Sequence, residues 1–442
     1  MSYTSRIQSL AQKMAYADIS TQVDNLQTQS DELTAESNAL DSLSSALTDF
    51  QSAVDALNSD TDGPLTFSAS SSNDSATVSA NSQAQAGTYT FYVEQLAQAE
   101  QQTFGMNDGT YSATGTFELT MGDSTMDIDL AAADEAGNGD GFIDGSELVS
   151  AINQSDDNPG VTAALVKTDG TTTIMITADD TGAQSQFTIN VSGHDNSGDT
   201  TSDIPTVNEV VGQDAIIHLG SADGPSVTNS SNTFDDVIPG VTMTFTEVTG
   251  ADDDPTTFTI AEDTSGSQEK VQTFVDAYNT LVDTVDSLTT NGDGTDGSSG
   301  VFAGDAGLKS LTSRMDDIVH SYYDGSSIVD YGITLDSDGH LQIDSTQFSD
   351  EMKKNPDGLT SIFVGDDSMV AQMDDLMDSY LDSNTGIIEQ RQENIDEQQD
   401  KISDRGDQLT ETYNTNYERY LTEYTSTIVE VYTMKISMSA FM

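Results

Sequence analysis

The sequence predicts an α+β protein: a long helical coiled-coil or bundle stalk formed by both chain ends, with a β-rich head of several subdomains between them. Three observations predict it. Near both termini apolar residues recur every seven positions, as an a/d seam requires. Gly and Pro, the strongest breakers of regular structure, are missing from residues 1–62 and then arrive together as Gly63-Pro64. In between, short runs of β-branched and aromatic residues are separated by clusters of Gly, Asp, Asn and Ser.

Residues 1–62 form the first element. Ile19, Leu26, Leu33, Leu40, Leu47 and Val54 make one row, and Leu43, Phe50 and Leu57 a second row three positions on. The second row is polar earlier, at Ser30 and Ser37, so the seam is weaker there. Residues 64–262 read as β, with Thr88–Val93, Thr172–Thr177 and Val241–Phe245 as strands and a short helix at Gly145–Asn153. Helix returns after residue 265, where Val271, Phe274, Val275, Tyr278, Leu281 and Val285 fall at i, i+3, i+4, i+7 spacing. A loop at 291–300 and a helix at 303–320 follow. Ile333–Leu335 and Leu341–Ile343 flank Asp338-Gly339, a tight hairpin signal. Last, Ile388, Ile395, Ile402 and Leu409 are again seven apart, and a row from Tyr413 through Tyr417, Tyr420, Tyr424, Ile428 and Val431 to Met438 extends the stripe; only Gly406 interrupts it. Two long stripes far apart in sequence are buried most economically against each other or against other copies. The ten heptad residues are therefore the candidate stalk and oligomerisation seam.

The division that follows is an N-terminal helical leg over 1–62 and a proximal β subdomain from 63–107 and 206–265. A distal β subdomain is inserted at 108–205, and the C-terminal helical leg is 266–442, carrying the hairpin near 333–343.

Charge excludes several functions. The chain has 76 Asp+Glu against 13 Lys+Arg, a formal net charge of -63. A nucleic-acid backbone would be repelled, and so would an anionic membrane surface. No apolar run reaches the length of about 18 residues that reads as a membrane span. The N-terminal residues lack the apolar core and small-residue cleavage site of a secretory leader, so export is expected without a cleaved signal. There is no Cys, hence no disulfide, thiol nucleophile or Cys-based zinc site. Such acidity also suits salty surroundings, since a Debye length of about 3 Å in 1 M salt screens most of the self-repulsion.

Catalytic constellations are thin. Four His residues are scattered, and neither HExxH nor GxSxG occurs. Residues 292–297 match GxGxxG by letters, but they follow helix rather than strand and carry two aspartates that would repel a pyrophosphate. They read as a loop. Residues 136–147 fit most of an EF-hand-type loop, with Asn138 and Asp140 at positions three and five, Gly141 at six, Asp144 at nine and Glu147 at twelve. Those four oxygen-bearing side chains are the candidate Ca²⁺ ligands. Against them, Ala136 occupies the first ligand position, the nearest substitute is Asp134, and no helix is expected ahead of the loop. The other reading is an acidic turn before the helix at 145. No motif requires a cofactor.

Several stretches carry a family resemblance. Leu148–Asn153 followed by Gly160–Val166 resembles an element shared by flagellins and hook-associated proteins. Gly212–Ala215, Ser231–Thr242 and Phe274–Asn279, in that order, resemble the C-terminal region of the bacterial flagellar filament-capping family, hook-associated protein 2. Leu47–Phe50, Ala86–Phe91, Val93–Ala97 and Leu335–Asp344 agree with it. The Gly/Ser/Leu-rich start usual in the family is missing, and the acidic 131–144 segment looks like an insertion.

What the resemblance implies is mechanical rather than catalytic. Such proteins pass through the flagellar export channel and assemble as a homo-oligomeric ring at the distal filament tip, outside the cell. They hold exported flagellin subunits until these fold and insert. The implied partners are copies of the chain, flagellin, an export chaperone and host or surface glycans. The alternatives are another axial flagellar protein (a flagellin or hook–filament junction protein) and an adhesin acting through the β-rich head.

Overall fold

The computed structural model describes residues 3–59, 61–105, 111–168, 171–192, 206–250, 253–292 and 299–440. The loop at 293–298, which holds most of the GxGxxG match, lies outside the described residues, as do 108–110 and 193–205 of the inserted subdomain. The chain divides into a helical unit, Met1–Leu65 with Thr264–Met442, and a β unit, Thr66–Asp263.

In the helical unit the breaker-free N-terminus forms one helix, α1 (Tyr3–Asp55), of 53 residues. At about 1.5 Å per residue it is about 80 Å long. The remaining helices of this unit are α4 (Thr264–Thr289), α5 (Ala306–Val319), α6 (Ser345–Met352), α7 (Pro356–Phe363), α8 (Met369–Leu381) and α9 (Ile387–Ala440); α2 (Leu130–Ala136) and α3 (Gly145–Gln154) belong to the β unit. Four of them open on capping side chains, which satisfy amides that a helix start leaves without partners. These caps are Asp305, Asp344, Asn355 (with Pro356 as the first helical residue) and Ser368. Between α5 and α6 lies a two-stranded hairpin whose turn is closed by Asp336, its carboxylate accepting from the Asp338 and His340 amides at 2.9 and 3.0 Å. Gly339 sits there at φ 83°, a conformation that favours glycine.

Two features of α9 differ from the sequence expectation. Gly406 does not interrupt it: the helix runs unbroken for 54 residues. A Cβ at Gly406 would sit 3.8 Å from Leu26 Cδ2, so the small residue costs propensity without breaking the pairing with α1. Nor is the apolar stripe buried to its end. Val431 and Met438 are 57% and 69% exposed. The two helices run antiparallel, with Asp18 beside Arg419, so Val431 lies level with the first turns of α1 and Met438 lies past its described start.

The β unit holds two cores. In chain order its elements are β1 (Phe67–Ser71), β2 (Ala76–Ala80), β3 (Gly87–Gln95), β4 (Gln101–Gly105), β5 (Thr116–Met121), β6 (Ser124–Asp129), α2 (Leu130–Ala136), α3 (Gly145–Gln154), β7 (Val161–Thr168), β8 (Thr171–Ala178), β9 (Phe187–Ser192) and β10 (Thr206–Val210). There follow β11 (Ala215–Leu219), β12 (Ser226–Asn229), β13 (Thr233–Ile238), β14 (Val241–Phe245) and β15 (Thr256–Glu262). The helical unit adds β16 (Ile333–Leu335) and β17 (Leu341–Ile343) as its hairpin.

The first core lies between a five-stranded sheet, β1-β15-β3-β11-β12, and a three-stranded one, β13-β14-β2. It is aromatic: Phe91, Phe234, Phe245 and Phe258 pack with ring centroids 5.7–6.2 Å apart. The second core is built by β10-β4-β8-β7, β6-β5-β9 and the two short helices around Phe104, Phe117, Leu148, Ile152 and Ile174. Its chain leaves after β3 and returns before β11. At that crossing, the Gln98 and Gln213 backbones exchange hydrogen bonds of 2.9 and 3.0 Å. Buried Glu100 accepts from the Gly212 amide at 2.7 Å and from Gln102 at 3.0 Å. The helix α2 corrects the sequence expectation that no helix precedes the acidic loop. Asp129 caps it by accepting from the Ala131 amide, and Leu130 and Ala133 are buried in the second core.

Candidate functional surfaces: the paired helices and the acidic turn

Heptad spacing places one apolar residue on the same face of a helix at every second turn, so a long stripe needs a partner of similar length. In the helical unit α1 and α9 supply each other. Leu33, Leu40 and Ile395 are buried together, with Ile388, Ile402 and Phe302 packed against them. Ile19 and Leu409 are also buried, whereas Leu26 is half-buried. Polar contacts fix the antiparallel register: the Gln392 amide donates to Ser37 Oγ at 3.2 Å, and Asp18 receives Arg419 at 3.3 Å and the Tyr420 hydroxyl at 2.9 Å. The Asp18 bond holds the Tyr420 phenol above its ordinary range.

The remaining heptad residues, Leu47 and Val54, are fully buried in the part of α1 that packs with α4 and α8. Neighbouring Phe50 meets Phe274 and Tyr278 at 5.7 and 6.1 Å, and Gln51 donates to Asp374 and Asp378. Burial chiefly, then those two aspartates, raises the Asp55 carboxyl. The seam is thus a helix pair at one end and a helix bundle at the other. Beside Gly406 a groove of about 530 Å³ opens among Tyr16, Val23, Leu26, Ile402 and Tyr413.

Sequence reasoning missed the shortest ion pair described in this unit. Arg391 on α9 reaches Asp305, the α5 cap, at 2.7 Å, and its guanidinium lies 5.6 Å from the Phe302 ring centre. The Arg391 bond first, and the capped amides of Leu308 and Gly307 next, hold the Asp305 carboxyl below the usual range. No local motif announces a pair 86 positions apart. The only hint is the scarcity of cations, which makes each one worth tracing.

In the acidic turn, Asp134, Asn138, Asp140, Asp144 and Glu147 converge, but mostly on backbone amides. Buried Asp134 accepts from Asp140 and Gly141 at 3.1 and 3.0 Å. Glu147 uses one oxygen for the Asn138 amide at 2.9 Å and the other for Asp144 at 2.8 Å. Asn138 and Asp140 close small turns onto the amides two residues on, at 2.8 and 3.0 Å. Among the described residues no group of three or more His, Cys, Asp or Glu is placed to hold a metal ion. The acidic oxygens act as anchors for a turn in which Gly139 and Gly141 take positive φ.

Comparison with known proteins covers both units. The family model described as flagellar hook-associated protein 2 N-terminus matches residues 5–100, and that described as flagellar hook-associated protein 2 C-terminus matches residues 212–432. The chain is 35% identical over 325 residues to the lateral flagellar hook-associated protein 2 of Vibrio parahaemolyticus, spanning 72% of each chain. It is 27% identical over 360 residues to the B-type flagellar hook-associated protein 2 of Pseudomonas aeruginosa, spanning 76% of this chain and 73% of that one. Among solved structures, the D1-D2-D3 domains of the flagellar cap protein FliD from Escherichia coli superpose with a TM-score of 0.67 at 28% identity. The match covers 81% of this chain and 99% of that one.

Proposed function

The chain belongs to the flagellar hook-associated protein 2 family and is a flagellar filament cap protein; from that premise we propose that it works as a ring of copies at the distal filament tip. The family is structural, not enzymatic. In this reading residues 66–263 form the plate of the cap, and the paired α1 and α9 form legs directed at the growing end. Exported flagellin is held beneath the plate until it folds and inserts. The chain reaches that place through the flagellar export channel, escorted by a chaperone. It needs no cofactor: the acidic turn has its oxygens engaged by backbone amides, which supports a structural role for Asn138, Asp140, Asp144 and Glu147 rather than a Ca²⁺ site. No helix among the described residues is long and apolar enough to cross a membrane.

The observation that carries this reading is the pairing of the two chain ends around an inserted β unit. Seven-residue periodicity at both termini serves no purpose in an isolated β domain. It gives a leg stiff enough to transmit position from the plate to the filament end, and it leaves the last turns of α9 apolar and exposed for partners. The test is flagellin in the culture medium of a strain lacking this chain, grown in liquid and on a surface. Abundant unpolymerised flagellin with short filaments, reversed by complementation, is expected. Normal filaments in both conditions would refute the capping role.

A further inference from the structure

The β unit is almost without positive charge. Residues 66–263 contain 32 Asp and Glu but a single cation, Lys167. Lys167 stands near the end of β7, at one edge of the sheet β10-β4-β8-β7. An edge strand presents backbone N–H and C=O groups that its own sheet does not use, and proteins usually blunt or cover them. Along β7 this protection covers only the first half. Asn158 bonds both the amide and carbonyl of Val161, and Asn153 does the same for Ala163, all four at 2.8 Å. The antiparallel alternation places the next outward-facing backbone groups at Leu165 and Lys167. Those have no hydrogen-bond partner among the described residues. Leu165 and Val166 are also exposed, at 37% and 38%.

The opposite edge of the same sheet mirrors this chemistry. There β10 carries the exposed Val210, followed by Val211, at 44% and 51%, beside the exposed carboxylate Glu209. Neither Lys167 nor Glu209 forms an ion pair among the described residues. One sheet thus ends in an apolar pair with a cation on one side and an apolar pair with an anion on the other. A ring of identical copies requires a heterologous contact, in which one patch meets a different patch on the next copy. With 32 acidic residues and one Lys on this unit, most charged contacts between two copies would be between like charges.

We infer that the open half of β7 on one copy docks against the β10 edge of the next. Leu165 and Val166 would lie against Val210 and Val211, and Lys167 against Glu209. This rests on the ring reading above and identifies where neighbouring plates touch. The partner is a second copy of this chain, because a ring needs a heterologous contact and these two edges carry complementary charge.

The chain has no cysteine, so thiols can be placed at will. Full-length Leu165→Cys and Val210→Cys chains are mixed and treated with a short bismaleimide, with light scattering of the same samples. The two positions lie on opposite edges of a four-stranded sheet, three strand spacings or about 14 Å apart across it and about 10 Å offset along it, so short-range linkage reports contact between copies. Mixed dimers and, for the doubly substituted chain, a ladder of linked copies are expected. Lys167→Glu should lower the linked yield about fivefold or more, and the exchange Lys167→Glu with Glu209→Lys should restore it. Oligomers that give no linked product would overturn the edge contact while leaving the ring intact. Linkage indifferent to Lys167→Glu would overturn the charge pairing. A chain that stays monomeric at every concentration would overturn both the ring and this contact.

Discussion

The two units solve the same electrostatic problem differently. The helical unit keeps 12 of the 13 Lys and Arg and places three of them at joints: Arg391 on Asp305, Arg419 on Asp18, Lys270 on the Asp62 and Gly63 carbonyls. The β unit has one Lys and no Arg, and Lys167 makes no ion pair among the described residues. Apart from the His218–Glu94 contact at 2.6 Å, it is tied by neutral amides spanning long sequence distances. Asn232 donates to the Ala97 carbonyl at 3.1 Å and accepts from its amide at 2.7 Å, Gln213 donates to Leu96, and Gln186 to Gly212. Amide bonds lose nothing to screening, and in an acidic field they add no charge. A strongly acidic chain can therefore stay folded if its positive charges are concentrated where long helices must hold register.

Both units nevertheless rest on aromatic cores, and this is where the largest effects lie. Phe50 and Phe258 are each fully buried. Truncating either to Ala should cost about 3–5 kcal/mol, the usual range for a large core aromatic. Calorimetry of the full chain should show different transitions moving in the two variants. A single transition lowered equally by both would mean that the units unfold together. Next in size is Asn232→Ala, which strands a backbone amide and a carbonyl at once. A loss of about 1–3 kcal/mol is expected, confined to the β unit and little altered by NaCl.

Arg391→Met gives the contrasting response in the helical unit. Both partners are partly exposed, so the loss should be modest, about 0.5–1 kcal/mol, and should shrink as salt is added. Its pH dependence has a definite sign. The folded Asp305 carboxyl is held below the unfolded value of about 3.9. The pair therefore contributes fully above that value and is lost as pH falls through the lower, folded one. Denaturant titrations at pH 7 and pH 3 should show the variant and the parent chain converging at the acid end. A gap that widens on acidification would contradict the assignment.

The heptads were legible because their period is local: Leu33, Leu40 and Ile395 announce a seam before any contact is known. What the period could not tell was where the seam changes partner. Leu47 and Val54 fit the row as well as Leu33 does, yet they serve a bundle with α4 and α8. The far end was over-read for a related reason. Met438 continues the spacing, but burial depends on what lies opposite, and α1 has ended by then. In the acidic turn the Ca²⁺ pattern was visible while its use was not, because Asp134 and Glu147 satisfy amides whose positions depend on α2, a helix of seven residues too short to show a period. The amide ties of the β unit, such as Ala97 to Asn232, connect positions 135 apart, and no local pattern encodes them.

The smallest prediction concerns the groove in the helix pair. Gly406 lies within α9 and should cost about 1 kcal/mol of helix propensity relative to Ala. A Cβ there meets only Leu26 Cδ2, at 3.8 Å, which is ordinary contact rather than a clash. Gly406→Ala should therefore stabilise the helical unit by a few tenths up to about 1 kcal/mol, with the β-unit transition unmoved. The added methyl would also narrow the groove beside Leu26 and Ile402. If the glycine is there to let the legs bend as subunits pass, filaments of the Ala variant should be shorter despite the higher melting temperature. Unchanged filaments with a more stable chain would mean that the gap is only a packing defect. A lower melting temperature would show that the α1–α9 approach at this level is closer than 3.8 Å allows.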